Sequence, residues 1–315
     1  MAQTFEVSIL GSSSALPTSQ RHPTAQLINV AERYFLVDCG EGTQIQLRRY
    51  HFRMQRINHI LISHLHGDHF FGLVGLLSSM HLLGRVQTLH LYHPPGLKEI
   101  IDIQMRYSCT ALKFPIEYHV HDLEQPKLLF EDKVMEVHSF PLNHRIPCCG
   151  FVFREKPRPF LINKEKVTSL RVPVSQMGAL KRGEDVTLAD GTIVPNAELT
   201  CGRTKPRSYS FCSDTIFDLS VIQYIKNSDL LYHEATFADD MMERAKTTFH
   251  STAREAGQVA RQAEAGKLII GHFSARYHDT GILLQEALSE FPETVAAEEG
   301  KTYSIDEQLI VQKKE

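Results

Sequence analysis

No apolar run in the 315-residue sequence approaches 18 uninterrupted residues, so no membrane-spanning helix is expected. The opening residues, MAQTFEVSIL, lack a basic stretch followed by an apolar one, so no secretory leader is expected either. Cys39, Cys109, Cys148, Cys149, Cys201 and Cys212 show no CxxC spacing, and six cysteines in so long a chain do not make a small disulfide scaffold. Free thiols in a reducing, cytoplasmic compartment are the expectation. A strong charge of one sign is missing too: a net −3 excludes a chain coated in positive charge, though not a local basic patch. What is present, 42% hydrophobic and 23% charged residues, is ordinary globular composition, long enough for one large core or two modest ones. Histidine is abundant, with 17 in the chain, and imidazole is a common transition-metal ligand, so the placement of these residues matters.

Short β-branched and apolar runs alternate with segments of helical period. Strands are predicted at 5–10, 26–30, 34–38, 59–63, 88–93, 116–120, 127–130 and 134–140. Helices are predicted from a Thr43 cap through Arg53, and at 70–83 and 97–107. The later part repeats this style, with strands at 208–213, 229–233 and 267–271 and helices at 219–226, 252–265 and 281–291. This alternation predicts a layered α/β architecture with a loose likeness between two halves and no exact repeat.

Residues 154–182 break the rhythm. They hold eight basic residues, Arg154, Lys156, Arg158, Lys164, Lys166, Arg171, Lys181 and Arg182, against two acids, Glu155 and Glu165. With Pro157, Pro159 and Pro173, the stretch reads as an inserted arm rather than core. A second basic set, Arg48, Arg49, Arg53 and Arg56, is interleaved with Tyr50 and Phe52. It is either a phosphate- or base-contacting surface or a solvated helix face with two core aromatics.

The sharpest signal is Ser63-His64-Leu65-His66-Gly67-Asp68-His69, an HxHxDH pattern directly after an apolar strand. In an extended strand end, His64 and His66 point the same way because side chains alternate. Gly67 permits the chain to turn, after which Asp68 and His69 can face a second ion. Nitrogen and oxygen donors without cysteine suit zinc, with manganese or iron still admissible. Six residues cannot close two sites, so partners must lie elsewhere. His144 in FPLNH, Asp214 after SYSFCS and His272 after KLIIG each follow a strand-like run, where an α/β layer fold opens its site. A carboxylate at Asp214 has two oxygens and so can bridge both ions. A lone histidine after a strand is ordinarily a surface or capping residue. His22, His51, His59, His81, His90, His93, His119, His121, His138 and His278 are read that way.

HLHGDH followed by FFGLVGLL resembles the metallo-β-lactamase superfamily and, within it, the ribonuclease Z family. ILGSSSALPT, FLVDCGEGTQIQL, LYHPPGLKEII, LYHEATF, FHSTAREA and GHFSARY each resemble a block of that family, in the same order along nearly the whole chain. The resemblance implies an α/β fold, a four-layer αβ/βα metallo-β-lactamase sandwich over residues 1–315, with an inserted tRNA-binding arm at 154–205. It implies two Zn2+ per chain, one held by His64, His66 and His144, the other by Asp68, His69 and His272, with Asp214 between them. It further implies Asp68 as general base, His250 as general acid and Glu234 as support for His250. The eight basic residues of 154–182 become RNA-binding residues, the substrate precursor tRNA, and the assembly a cytoplasmic homodimer. Three departures stand out: Ser213 where glycine usually precedes the bridging aspartate, His93 where glycine is usual, and VPVSQMGAL at an arm tip usually richer in Gly and Pro.

The implied reaction is hydrolysis of a phosphodiester by metal-activated water, removing a 3′ trailer and leaving a 3′-hydroxyl on the tRNA. A ribose oxygen leaves poorly unless protonated, which gives an acid such as His250 a purpose; the bland reading of His250 is a neighbour of a helix cap made by Ser251 or Thr252. A small-molecule phosphodiesterase or ester hydrolase on the same fold is the alternative, since fold does not fix substrate. The basic arm argues against it. A non-catalytic nucleic-acid-binding module is disfavoured by the complete ligand set.

Overall fold

The computed structural model describes residues 3–310, and none of its described helices is long and apolar enough to cross a membrane. The chain forms two compact units, one of residues 3–154 with 208–305, the other of 155–207 with 306–310.

In the larger unit the apolar runs become strands of two seven-stranded sheets. The first contains β1 (Phe5–Gly11), β2 (Ala25–Val30), β3 (Arg33–Val37), β4 (Ile57–Leu61), β5 (Leu89–His93) and β6 (Ile116–Val120). The second contains β7 (Lys127–Glu131), β8 (Met135–Leu142), β9 (Cys148–Glu155), β10 (Ser208–Cys212), β11 (Leu230–Glu234), β12 (Leu268–Gly271) and β13 (Thr294–Ala296). A last strand, β14 (Thr302–Ser304), returns to the first sheet, giving the orders β14-β1-β2-β3-β4-β5-β6 and β13-β12-β11-β10-β9-β8-β7. In each sheet four consecutive strands run parallel, β3 to β6 and β10 to β13. Parallel strands need crossovers, and the helices Leu73–Leu82, Leu97–Tyr107 and Ala253–Gln262 supply them. One core joins the inner faces of both sheets, with Phe5, Val7, Phe35 and Val37 from the first and Phe151, Phe153, Tyr209 and Phe211 from the second. A second core, with Leu36, Ile60, Leu89 and Leu91, packs the outer face of the first sheet on Leu73, Leu77 and Ile101. The result is a four-layer helix–sheet–sheet–helix sandwich, the layered α/β architecture expected from the alternation of elements in the particular form that the family resemblance implies.

Local chemistry explains the differences from the predicted elements. The helix at Thr43–Arg49 is capped by Gly42 at φ 82°, not by Thr43, whose hydroxyl instead donates to the Gly40 carbonyl at 2.6 Å. It stops short of Arg53 because His51 takes φ 60°. Tyr50 and Phe52 pack against the second core, while Arg48, Arg49, Arg53 and Arg56 are exposed and Arg56 pairs with Glu32.

The smaller unit is a folded module rather than an irregular excursion. Val167, Val172, Leu180, Val186, Val194 and Leu199 form its own apolar cluster. The helices Lys164–Ser169 and Met177–Arg182 and two short strand pairs, 186–187 with 193–194 and 203–204 with 309–310, surround it. Within this unit the buried Glu155 carboxylate accepts from Arg207 Nη2 at 2.7 Å, Arg207 Nε at 2.9 Å and Arg158 Nη2 at 2.8 Å. Burial alone would push the Glu155 carboxyl up, but the two guanidiniums outweigh it and hold it below the ordinary carboxylate range. A depressed folded pKa gives stability that is present at neutral pH and lost as pH falls through that folded value. Glu155→Gln, which removes the carboxylate charge from the buried Arg207 guanidinium, should therefore cost roughly 3–5 kcal/mol at pH 7. The gap from wild type should close in acid, where the wild-type carboxyl is also neutral. Denaturant unfolding of both proteins from pH 7 downward checks this, and equal stability at pH 7 refutes it.

Candidate metal centre and catalytic cleft

β4 ends at Leu61, and the chain leaves the sheet through Ser63 to His66 before a short helix, Gly67–Phe70, turns Asp68 and His69 back. His144 follows β8, Asp214 follows β10 and His272 follows β12, the last at φ 58°. The fold brings all seven predicted ligands into two groups of metal-binding size, one of His64, His66, His144 and Asp214 and one of Asp68, His69 and His272.

The two oxygens of Asp214 face different groups. Oδ2 lies 3.6 Å from His64 Nε2 and 3.8 Å from His144 Nε2, while Oδ1 lies 3.4 Å from His69 Nε2 and 3.2 Å from His272 Nε2. His66 presents Nδ1, 3.0 Å from His64 Nε2 and 3.1 Å from His144 Nε2. Asp68 Oδ2 completes the second group, 3.5 Å from His69 Nε2 and 3.3 Å from His272 Nε2, and accepts from the Ala15 amide at 2.8 Å.

The outward ring nitrogens are fixed. His64 Nδ1 meets Ser63 Oγ at 3.0 Å, His69 Nδ1 meets Asp38 Oδ2 at 2.7 Å, His144 Nδ1 donates to the Phe249 carbonyl at 2.8 Å, and His272 Nδ1 meets Thr236 Oγ1 at 3.0 Å. Such outer partners orient metal-binding rings and select the tautomer that leaves the inner nitrogen free. Two inward atoms, His69 Nε2 and Asp214 Oδ1, are buried without a hydrogen-bond partner among the described residues. Buried polar atoms of native proteins are nearly always satisfied. Converging donor nitrogens and oxygens with unsatisfied inward atoms are what a cation requires, so the residues fit a metal-ion site. Burial pushes the Asp68 carboxyl up, yet the His69 and His272 rings outweigh it and keep it ionised below its usual range.

The sequence reading took Asp38 only as the end of a strand and as part of a resembling block, and gave it no place at the site. It follows β3, is fully buried, and accepts from the Ser63 amide at 2.8 Å as well as holding His69. Its signal was available, since an acid directly after a buried strand is the pattern that found Asp214. Ser213, the departure from the usual glycine, is accommodated: its hydroxyl lies 3.1 Å from Ser63 Oγ.

His250 stands beside the centre, its ring 5.5 Å from that of His272 and 5.1 Å from that of His144. Its Nδ1 lies 2.8 Å from Glu234 Oε1. Glu234 is buried at the end of β11 and is itself held by Thr215 N at 3.1 Å, Thr236 N at 3.1 Å and Thr236 Oγ1 at 2.6 Å. Burial opposes protonation of His250, but Glu234 outweighs it and the ring is raised to about 9. The adjacent Thr252 and Glu255 make a capping box, so helix capping does not occupy His250.

A cleft of about 430 Å³ opens over this arrangement, lined by His66, Asp68, Asp214, His250 and His272 with Ala15, Leu16 and Arg145. A neighbouring hollow of about 290 Å³ shares His250 and Arg145 and adds Arg244 and Arg276. These three exposed arginines, drawn from separate segments, were also missed in the sequence reading. The predicted basic residues of 154–182 have different fates. Arg154 donates to the Tyr224 carbonyl at 2.6 Å. Arg158 is committed to Glu155 and Glu307, and Arg182 pairs with Glu184 at 2.6 Å. Lys156 is half-buried, and Lys164, Lys166, Arg171 and Lys181 stand exposed.

Comparison with known proteins bears on the fold and the family. Residues 5–156 match a family model described as anti-Pycsar protein Apyc1. The ribonuclease Z of Bacteroides thetaiotaomicron is 46% identical over 302 residues, covering 96% of each chain. That of Cytophaga hutchinsonii is 47% identical over 306 residues, covering 97% of each. Among solved structures, human tRNase Z, short form, superposes with a TM-score of 0.71 at 29% identity over 96% of this chain and 99% of that one. A metallo-β-lactamase-fold protein of Bacillus subtilis superposes with a TM-score of 0.66 at 20% identity over 96% of this chain and 99% of that one. The mirrored αβ/βα sandwich, with histidine- and aspartate-bearing loops at its strand ends, has the metallo-β-lactamase fold. At such identity over almost its full length, the chain belongs to the ribonuclease Z family.

Proposed function

We propose that this chain is the endoribonuclease that removes the 3′ trailer from precursor tRNA, working with two zinc ions per chain. The observation that carries this reading is Asp214, which turns one oxygen to each of two donor groups beneath a cleft that also holds His250. His64, His66 and His144 would hold one ion, Asp68, His69 and His272 the other, and Asp214 both. When bound, the ions supply Lewis-acid chemistry, lowering the pKa of water and neutralising phosphate charge.

The remaining roles belong to side chains. Asp68, held by the Ala15 amide, orients and takes the proton of the attacking water. Glu234 fixes Nδ1 of His250, so that Nε2 can donate a proton to the departing ribose 3′-oxygen, and the Glu234 carboxylate favours the protonated ring. Arg145, Arg244 and Arg276 receive phosphates flanking the scissile one. The exposed cations of the smaller unit, Lys164, Lys166, Arg171, Lys181 and Arg182, with Lys156, grip the tRNA body by its backbone. The family resemblance extends the reading to a cytoplasmic homodimer.

The test pairs metal analysis with cleavage of precursor tRNA. His250→Ala should keep its metal yet cut precursor tRNA about 10²–10⁴-fold more slowly. On bis(p-nitrophenyl) phosphate, whose leaving group needs no proton, the deficit should shrink. Near-wild-type cleavage by His250→Ala removes it from the mechanism. A wild-type enzyme that hydrolyses the small diester but never precursor tRNA favours the small-molecule alternative.

A further inference from the structure

Away from the cleft, three side chains at the edge of the first sheet converge without any part in the chemistry above. Among the described residues β6 is an edge strand, hydrogen-bonded within the sheet to β5. His90 of β5 sits opposite Glu117 of β6, and Tyr92 opposite His119. Because side chains alternate along a strand, His90, Glu117 and His119 share one face. His90 Nδ1 lies 3.2 Å from His119 Nε2 and 3.2 Å from Glu117 Oε2, and His119 Nε2 lies 4.0 Å from that same oxygen. These three form a group of metal-binding size separate from the centre at Asp214.

Two observations speak for a cation. With Zn–N and Zn–O distances of about 2.0–2.2 Å, neighbouring ligand atoms of a tetrahedral zinc stand about 3.3–3.5 Å apart. The two shorter spacings here fall close to that, and the third is within reach of a small carboxylate rotation. The rings are also held in place before any ligand arrives. His90 stacks on His59 at 5.0 Å with 15° between planes, and His119 stacks on Tyr92 at 4.6 Å with 17°. A pair of imidazoles so fixed, with a carboxylate between them, spends little entropy on capturing an ion. Partial burial, then the neighbouring His90, lower the proton affinity of His119, which favours the neutral ring that a metal needs.

The geometry points to a third cation site in this chain, at which a divalent ion of the zinc type is held by His90, Glu117 and His119 and clips the edge strand β6 to β5. Three protein ligands leave one tetrahedral position for water. The role is structural. An edge strand exposes unpaired backbone groups and frays or pairs wrongly unless restrained, and a metal across its side chains is such a restraint. This assignment changes the reading of His90 and His119 as merely exposed histidines. It is independent of the proposed ribonuclease mechanism.

The probe is Zn2+ itself, titrated calorimetrically into the holoenzyme after weakly held metal has been removed on a mild chelating resin. Wild type should take up one further equivalent. The double variant His90→Ala/His119→Ala should take up none, while cleaving precursor tRNA at the wild-type rate. His119→Asn, a milder change, should lose the added equivalent as well and guards against a misfolded double variant. Amide exchange within residues 116–120 should slow on adding zinc to wild type and stay unchanged in both variants. Equal uptake by wild type and the double variant overturns the site. So does the lack of any added uptake by wild type, which leaves His90 and His119 as a hydrogen-bonded pair only.

Discussion

Asp214→Ala should empty both halves of the metal centre and abolish cleavage, although only one side chain is shortened. Its Oδ2 faces His64 and His144 at 3.6 and 3.8 Å, and its Oδ1 faces His69 and His272 at 3.4 and 3.2 Å. Removing the carboxylate deletes a donor from each group and the negative charge that offsets two cations in a buried site. Metal-ion catalysis contributes several kcal/mol to phosphoryl transfer, so turnover should fall on the order of 10³-fold or more. Elemental analysis after passage over a mild chelating resin, which strips the weakly held ion at His90, Glu117 and His119, should show wild type near two zinc equivalents and Asp214→Ala well below one. His272→Ala, which touches only the Asp68 side, should retain close to one. Asp68→Ala should likewise keep metal at the three-histidine side while losing nearly all turnover. A wild-type value of one equivalent that His272→Ala leaves unchanged sinks the binuclear assignment, and a full equivalent kept by Asp214→Ala sinks the bridge.

The seven residues gathered at this centre were legible for two reasons. Four lie within six positions, a density that chance seldom gives, and the other three each follow a buried apolar strand. The fold turns strand ends toward one another, so position at a strand end carried spatial information that sequence separation hides. Asp38 shared that position but was read only as part of a resembling block, because its partner is His69 rather than an ion. Long strands and helices were legible from periodicity. β9 was not: its pattern CCGFVFRE is buried almost throughout and runs into Arg154 and Glu155, whose charge drew the reading toward the arm. β13 and β14, three residues each, offer too little periodicity to register. The core of the smaller unit is equally hidden, because Val167, Val172, Leu180, Val186, Val194 and Leu199 are spaced without a helical or strand period. Nor can composition reveal that Arg158 is bound to Glu307, 149 positions away, and so is engaged within its own unit.

That hidden core decides how the recognition role of the smaller unit must be tested. Deleting residues 156–182 would remove Val167, Val172 and Leu180, half of the cluster that Val186, Val194 and Leu199 complete, so loss of activity would report unfolding. Charge removal avoids this. Lys164, Lys166, Arg171 and Lys181 are exposed, whereas Glu155, Arg158 and Arg207 form the buried ion-pair network and should be left intact. The fourfold variant Lys164→Gln/Lys166→Gln/Arg171→Gln/Lys181→Gln should retain its metal and hydrolyse bis(p-nitrophenyl) phosphate at the wild-type rate, because that diester needs only the centre at Asp214. Cleavage of precursor tRNA at limiting substrate should fall steeply, through weaker binding rather than slower chemistry. Backbone contacts release condensed counterions, so each one lost should flatten the plot of log affinity against log salt by about one unit, about four for the full set. Raising the salt should therefore narrow the difference between the two enzymes. If these side chains only keep a surface soluble, the variant will bind precursor tRNA with wild-type affinity and an unchanged salt slope, and the smaller unit loses its claim as the tRNA grip. If the small diester is lost along with the tRNA, the substitutions have reached the fold, and single changes at Lys164 and Lys181, each expected to flatten the slope by about one unit, carry the test instead.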